Sequence, residues 1–281
     1  MSDSIYEKTI RKLSKGGIDS PRLEARLLIA DILKISADDV GNSTVLLPNL
    51  ESKLEENIVQ RIAGKPLDKI VGHKGFYKFE FKVSEDVLSP RPETEILVEN
   101  ALKIIKENEF KKVVDLGLGS GCILLSLLKE IEDLQGVGAD ASSKALEIAK
   151  ENAKALGVDQ RCLFLNKSWF DEDFFEVLGK DFDMIVSNPP YIKTDDIKTL
   201  DVGVQKYDPK IALDGGADGL KDYLKIAEIA PKILKKGGYI LLEVGSGQAL
   251  DVQKIFENVG LTHVKTLKDY AGIERVVVLK R

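Results

Sequence analysis

The chain has 281 residues, of which 43% are hydrophobic and 31% charged, with a formal net charge of -5, a balance typical of soluble globular proteins with a substantial core. A non-specific nucleic-acid binder carries a basic surplus to neutralise phosphates, so the acidic balance argues against that class. No apolar run is as long as a membrane span, the opening Met1-Ser2-Asp3-Ser4 is polar rather than signal-like, and Cys122 and Cys162 form no Cys-x-x-Cys pair, so a cytoplasmic, reducing setting without membrane contact is expected.

Residues 1–70 read as a small helical domain. Ile5, Ile10 and Leu13 share a face and Gly16-Gly17 ends the segment. Ser20-Pro21 has the form of an N-cap followed by proline at the first helical position, and Leu23, Leu27, Leu28 and Ile32 supply the next apolar face. Pro48-Asn49 opens a third helix with Leu50, Leu54, Ile58 and Ile62 at four-residue steps. Acidic and basic residues balance over this stretch, which suits partner docking better than a phosphate backbone. Gly64-Lys65-Pro66 breaks the pattern, and residues 76–83 alternate with period two, as a strand or hairpin does. Together with Ser89-Pro90-Arg91-Pro92-Glu93-Thr94, this hairpin makes residues 71–90 a connector, and Arg91 on the stiff loop is a candidate to line a site.

Residues 91–281 alternate between strand and helix. Strands are expected at Val113-Val114, from Val137, at Cys162–Leu165, at Met184–Val186 and at Tyr239–Val244. Helices are expected at Ile123–Leu128, Ser143–Leu156 and Tyr223–Leu234, the last ended by Lys235-Lys236-Gly237-Gly238, and 262–267 with 275–279 read as a closing strand pair. This order implies an α/β domain with a mostly parallel sheet covered on both faces.

Asp115-Leu116-Gly117-Leu118-Gly119-Ser120-Gly121 follows the first of these strands and opens a helix. Its glycines permit a tight turn and close approach of a ligand, and N–H groups at a helix N-terminus suit a polar ligand group. Asp140, at the end of the next strand, is placed to accept both hydroxyls of a ribose. The dinucleotide fingerprint needs glycine at position 122, which is Cys122, whereas Gly-x-Gly-x-Gly after Asp115 resembles motif I of S-adenosylmethionine-dependent methyltransferases. Trp169 follows the third strand at the edge where an adenine would lie, although a lone tryptophan is as often core. His73 and His263 lack metal-ligand spacing, and no metal is expected.

Asn188-Pro189-Pro190-Tyr191 falls at the end of the fourth strand. Two prolines stop the ladder and hold Asn188 extended. Read alone, this is a turn. Read beside a methyl donor, it is a clamp: the Asn188 side-chain oxygen and the Pro189 carbonyl can each accept one N–H of a planar NH2, and Tyr191 can pack on its plane. Asn-Pro-Pro-Tyr is shared by enzymes that methylate adenine N6 or guanine N2, so the four residues alone leave the acceptor open.

The wider order is more selective. The helical segment, Gly64-Lys65-Pro66-Leu67, the hairpin, Pro90-Arg91-Pro92-Glu93-Thr94, Ser187 to Ile192 and Leu242-Glu243-Val244-Gly245 together resemble the release factor glutamine methyltransferase family over essentially the whole chain. The resemblance implies a Rossmann-like methyltransferase sheet behind a small helical domain. It implies transfer from S-adenosylmethionine to the glutamine amide in the Gly-Gly-Gln loop of class I peptide chain release factors, in support of translation termination, with no nucleic-acid substrate. It implies that Gly117, Leu118, Gly119, Ser120, Gly121, Asp140, Trp169 and Asn188 contact the cofactor, and that Asn188, Pro189, Pro190 and Tyr191 grip the glutamine, with Asn188 and Pro189 as the catalytic pair. Leu118 stands where the family more often has Thr or Cys, and Ser89 where it more often has Ile. The absence of a further apolar stripe suggests a monomer.

Overall fold

The computed structural model describes residues 4–41 and 44–281; Met1, Ser2 and Asp3 of the polar opening lie outside them. The chain forms two compact units, one comprising residues up to His73 together with Asp201–Tyr207, the other Lys74–Leu200 with Asp208–Arg281. No helix among the described residues is long and apolar enough to cross a membrane.

The first unit holds α1 (Ile5–Lys15), α2 (Pro21–Leu33), α3 (Pro48–Ile62) and α4 (Leu67–Val71). Ser4 caps α1 by accepting the Glu7 N–H, which satisfies one of the free donors of the first turn. Ser20 occupies the N-cap position of α2 without a side-chain bond, so proline at the first helical position, not a serine cap, starts that helix. Leu13, Ala25, Leu28, Ile29, Leu54 and Ile58 form the core. Leu23 is 57% exposed, outside the face that the spacing assigns to it. Arg61 on α3 grips Glu24 on α2 through two hydrogen bonds of 2.6 and 3.1 Å, the forked geometry that makes arginine–carboxylate pairs specific.

The second unit begins within a hairpin, β1 (His73–Phe76) and β2 (Phe79–Lys82), turned through Tyr77 at a φ of 57°. Then come α5 (Glu95–Asn108), β3 (Lys112–Leu116), α6 (Cys122–Glu130), β4 (Gln135–Asp140), α7 (Ser143–Leu156), β5 (Cys162–Asn166), α8 (Phe174–Leu178) and β6 (Phe182–Ser187). After α9 (Val202–Tyr207), which belongs to the first unit, the chain continues through α10 (Lys221–Ile233), β7 (Leu234–Glu243), α11 (Ala249–Glu257), β8 (Thr262–Lys268) and β9 (Glu274–Lys280).

The seven-stranded sheet has the order β5-β4-β3-β6-β7-β9-β8. All neighbours are parallel except β9, which runs antiparallel to β7 and β8. Strand alternation places Val113, Met184, Val186, Leu241, Val276 and Val278 against α5, α6 and α7. Their neighbours Val114, Ile185, Ile240, Leu242, Val277 and Leu279 pack with residues of α8, α10 and α11. Both sheet faces are therefore apolar, as a sheet with helices on both sides requires. Each fully buried Leu or Ile contributes about 1.5–3 kcal/mol, and Ile123 to Leu128 on α6 are all buried.

One boundary differs from the sequence reading. Lys235-Lys236-Gly237-Gly238 does not cap α10 but forms the start of β7. Its backbone is claimed by the chain end, with Gly237 N–H donating to Arg281 O and Arg281 N–H to Gly238 O, a long-range pairing that overrides the local helix-stop signal. The helices α8, α9 and α11 have no counterpart in the sequence reading.

From β3 the chain moves outward to β4 and β5, then returns to place β6 on the other side of β3. The order reverses between β3 and β6. In an open α/β sheet, ligands bind in the crevice outside the carboxyl ends of the strands at such a point.

Candidate active site

The loop after β3 and the loop after β6 flank this crevice, and a cavity of about 580 Å³ opens there. Gly117, Leu118, Gly119 and Ser120 line it, with Asp140 from the end of β4, Trp169 from the segment after β5, and Asn188 and Pro190 from the segment after β6. Gly121, Pro189 and Tyr191 are not among the residues that line it. Arg91 also lines it, paired to the buried Asp208 at 2.9 Å.

The glycine loop works through its shape. The N–H groups of Gly117 and Leu118 converge on Ala139 O at 2.9 and 3.0 Å, and that of Gly121 donates to Leu118 O at 2.8 Å. Gly119 N–H donates to Asp140 Oδ2 at 2.8 Å. These four amides are engaged within the protein, so the expectation that the loop presents its N–H groups to a ligand does not hold for them. What the loop offers is room. Gly119 has a φ of 56° and a Cβ built there would meet nothing within 4 Å, whereas Gly121, at a φ of 82°, would bring a Cβ to 2.7 Å from Leu125. Leu118 turns its side chain into the core against Gly138, so the loss of a side-chain hydroxyl at this position leaves the loop backbone in place.

Asp140 accepts from Gly119 and, through Oδ1, from Ser142 N–H at 2.8 Å. Burial raises its carboxyl above the usual range while the two N–H groups oppose the shift. Each oxygen keeps a further lone pair for a hydroxyl. Trp169 donates Nε1–H to Asp222 Oδ1 at 2.9 Å, and the ring edge lies 3.3 Å from the point where a Gly117 Cβ would sit. The tryptophan packs on the second core cluster and faces the cavity at once. Asn152 on α7 ties the loop to the hairpin, donating to Ser120 O at 2.8 Å and to Lys82 O at 3.1 Å while accepting Lys82 N–H at 2.7 Å. The signal for Asn152 was an amide on the buried face of an amphipathic helix. The signal for Asp222 was indistinguishable from an ordinary acidic residue at a helix start.

The Asn188 loop is built differently. Ser187 Oγ donates to Leu116 O at 2.5 Å, locking β6 to β3 just before the loop. Asn188 Nδ2 lies 3.5 Å from Thr94 Oγ1, Thr94 Oγ1 donates to Glu243 Oε2 at 2.6 Å, and the Tyr191 hydroxyl donates to Glu243 Oε1 at 3.4 Å. Past the loop, Ile192 N–H bonds Leu213 O at 3.0 Å and Gln248 Nε2 bonds Tyr191 O at 3.0 Å. Glu243 is 2% exposed, and burial pushes its carboxyl up to about 7. Burial likewise raises the Tyr191 hydroxyl. Thr94 and Glu243 were visible in sequence motifs but carried no local sign of meeting behind Asn188.

A parallel sheet with one antiparallel strand, a glycine loop beside a carboxylate at the next strand end, and an Asn-Pro-Pro-Tyr loop across the switch point define a Rossmann-like methyltransferase. Residues 92–204 match the family model "Methyltransferase small domain", and residues 4–72 match "PrmC N-terminal domain". A release factor glutamine methyltransferase of Agrobacterium fabrum is 39% identical over 277 residues, covering 96% of this chain and 94% of that protein. One of Rhodospirillum rubrum is 40% identical over 272 residues, 96% of this chain and 82% of that protein. Among solved structures, the hMettl16 catalytic domain in complex with MAT2A 3′UTR hairpin 6 has a TM-score of 0.55 at 10% identity, covering 81% of each chain, a likeness of fold alone. The chain belongs to the release factor glutamine methyltransferase family.

Proposed function

We propose that the protein transfers a methyl group from S-adenosylmethionine to the side-chain amide nitrogen of the glutamine in the Gly-Gly-Gln loop of class I peptide chain release factors. The observation that carries this reading is the opening of the Asn188 loop and the glycine loop, with Asp140, onto one cavity. Open space at Gly119 and a carboxylate with spare lone pairs suit a ribose-bearing donor without a pyrophosphate. When bound, the donor supplies an electrophilic methyl on a sulfonium.

Gly117, Leu118, Gly119, Ser120 and Gly121 shape the donor's cradle, Asp140 takes its ribose hydroxyls, and Trp169 packs on its adenine. Asn188 accepts one N–H of the glutamine amide through its side-chain oxygen, and Pro189 accepts the other through its carbonyl. Pro190 and Tyr191 keep that loop stiff. An amide nitrogen is a poor nucleophile because its lone pair is delocalised, so its orientation toward the methyl is the main lever, and orientation can supply roughly 7–11 kcal/mol. Once methylated, the nitrogen would be acidic and would lose its proton to solvent, so no dedicated base is required. The helical unit docks the release factor, and the setting is cytoplasmic.

Incubation with methyl-labelled S-adenosylmethionine and a bacterial class I release factor tests the reading. Label is expected on the Gly-Gly-Gln glutamine, and a release factor that stays unlabelled would sink it. Label on nucleic acid would instead favour a base methyltransferase.

A further inference from the structure

Behind Asn188 the hydrogen bonds form a chain with a direction. An ionised carboxylate only accepts, and a threonine hydroxyl carries one hydrogen. The 2.6 Å bond to Glu243 Oε2 takes that hydrogen. Thr94 Oγ1 then has only lone pairs left for Asn188, so the NH2 end of the Asn188 amide must face Thr94 and the Oδ1 end is left for the cavity that Asn188 lines. The 3.5 Å separation is long, as such bonds are before a substrate tightens a site.

We propose that Glu243, acting through Thr94, is a positioning residue that fixes which end of the Asn188 amide meets the substrate. The inference rests on the reading of Asn188 as the acceptor for the glutamine N–H. With the amide inverted, an NH2 group would face the NH2 of the target and neither would find an acceptor. The clamp would then hold its shape but lose the polarity that recognises an amide nitrogen.

The groups facing Glu243 allow this chain to reverse near neutrality. Burial raises the carboxyl to about 7, with Thr94, Arg275 of β9 and Tyr191 lowering it and Glu93 raising it. The Tyr223 hydroxyl donates to the Glu243 main-chain oxygen at 2.7 Å, and Tyr191, Tyr223 and Cys122, all raised chiefly by burial, each feel the Glu243 charge. A proton on Oε2 can be donated to Thr94, whose own hydrogen is then free to point at Asn188 Oδ1, turning the amide around.

The test is steady-state methyl transfer to a bacterial class I release factor between about pH 6 and pH 9, for the wild type and for Glu243→Gln, Thr94→Val and Thr94→Ser. A fraction of enzyme with the wrong amide orientation lowers apparent affinity by that fraction, because bound substrate selects the competent form. Glu243→Gln and Thr94→Val should therefore raise KM about tenfold, with kcat changed less. The wild-type kcat/KM should rise through about pH 7, and Glu243→Gln should lack that inflection. Thr94→Ser, which keeps the hydroxyl, should stay within about twofold of wild type, a rescue that a packing defect would not show. An active wild type whose Glu243→Gln variant keeps both the KM and the pH inflection overturns the positioning role alone. A wild type that leaves the release factor unmethylated overturns this role together with the functional reading.

Discussion

The two loops at the switch point are each backed by a buried carboxylate, and the two carboxylates are treated in opposite ways. Behind the glycine loop, Asp115 is 1% exposed, and neither of its side-chain oxygens makes a hydrogen bond. Burial pushes its carboxyl well above the ordinary range, and the nearby Leu124 backbone offsets only part of this. Behind the Asn188 loop, Glu243 is as deeply buried but receives hydrogen bonds from Thr94 and Tyr191. On the proposed reading the glycine loop supplies shape, and the amides of Gly117, Leu118, Gly119 and Gly121 are satisfied by Ala139, Asp140 and Leu118. On the same reading the Asn188 loop supplies an oriented polar atom, and orientation requires a partner with a defined donor or acceptor role. Room is made by backbone geometry, polarity by a side-chain chain.

The strongest way to break this contrast is Asn188→Ala. Removing the oriented amide should lower methyl transfer on the order of 10³-fold, the scale seen when one preorganised polar contact is lost at a reacting centre. Donor affinity, measured by calorimetry, should change far less, since the glycine loop and Asp140 remain. A parallel collapse of affinity would show that the two loops do not divide their roles in this way.

Next in size is a pH effect on stability. The Glu243 carboxyl is raised from 4.5 to about 7 on folding, a shift worth on the order of 3 kcal/mol. Because the folded value is raised, the folded state holds its proton longer than the unfolded chain does. The stabilisation is fully present below about pH 4.5 and is lost as pH rises through about 7. Urea melts of wild type and Glu243→Gln across this window should show the wild type losing stability relative to the variant as pH rises from about 4.5 to about 7. A constant difference would mean that Glu243 titrates at its ordinary value.

The glycine loop supplies a smaller and sharper pair. Gly121→Ala places a Cβ at 2.7 Å from Leu125 with φ at 82° and should cost about 1–3 kcal/mol of stability, read as a lower Tm. Gly119→Ala meets nothing within 4 Å and should cost only about 1–2 kcal/mol of backbone strain, while its methyl projects into the cradle and weakens donor binding. Equal effects on Tm and affinity at both positions would erase the distinction between a structural and a cradle glycine. The smallest expected effect is that of Trp169→Phe. It removes the Nε1–H bond to Asp222 and should weaken donor binding by about 1 kcal/mol, the net worth of a typical hydrogen bond.

Much of this was readable along the chain. The strand–helix alternation, Asp115 before three glycines, Asp140 at the next strand end and the double proline after Asn188 are local signals, because turns, strand ends and φ restrictions depend on near neighbours. Other features were not readable. Lys235-Lys236-Gly237-Gly238 carries a helix-stop signal, yet pairing with Arg281 makes it strand. The engagement of the loop amides depended on Ala139, which only the sheet register brings under Gly117.

The sequence by itself determined the order of elements, the loop chemistry and the family resemblance, since these reside in runs of adjacent residues. Only the tertiary structure decided which polar groups became partners. Thr94 precedes α5, Asn188 follows β6 and Glu243 ends β7, and nothing in their spacing says that a hydroxyl from one element stands between an amide and a carboxylate from the other two. That contact follows from β6 and β7 lying side by side in the sheet with the start of α5 above their ends. Burial there removes water as a competing partner and gives the three groups their polarity.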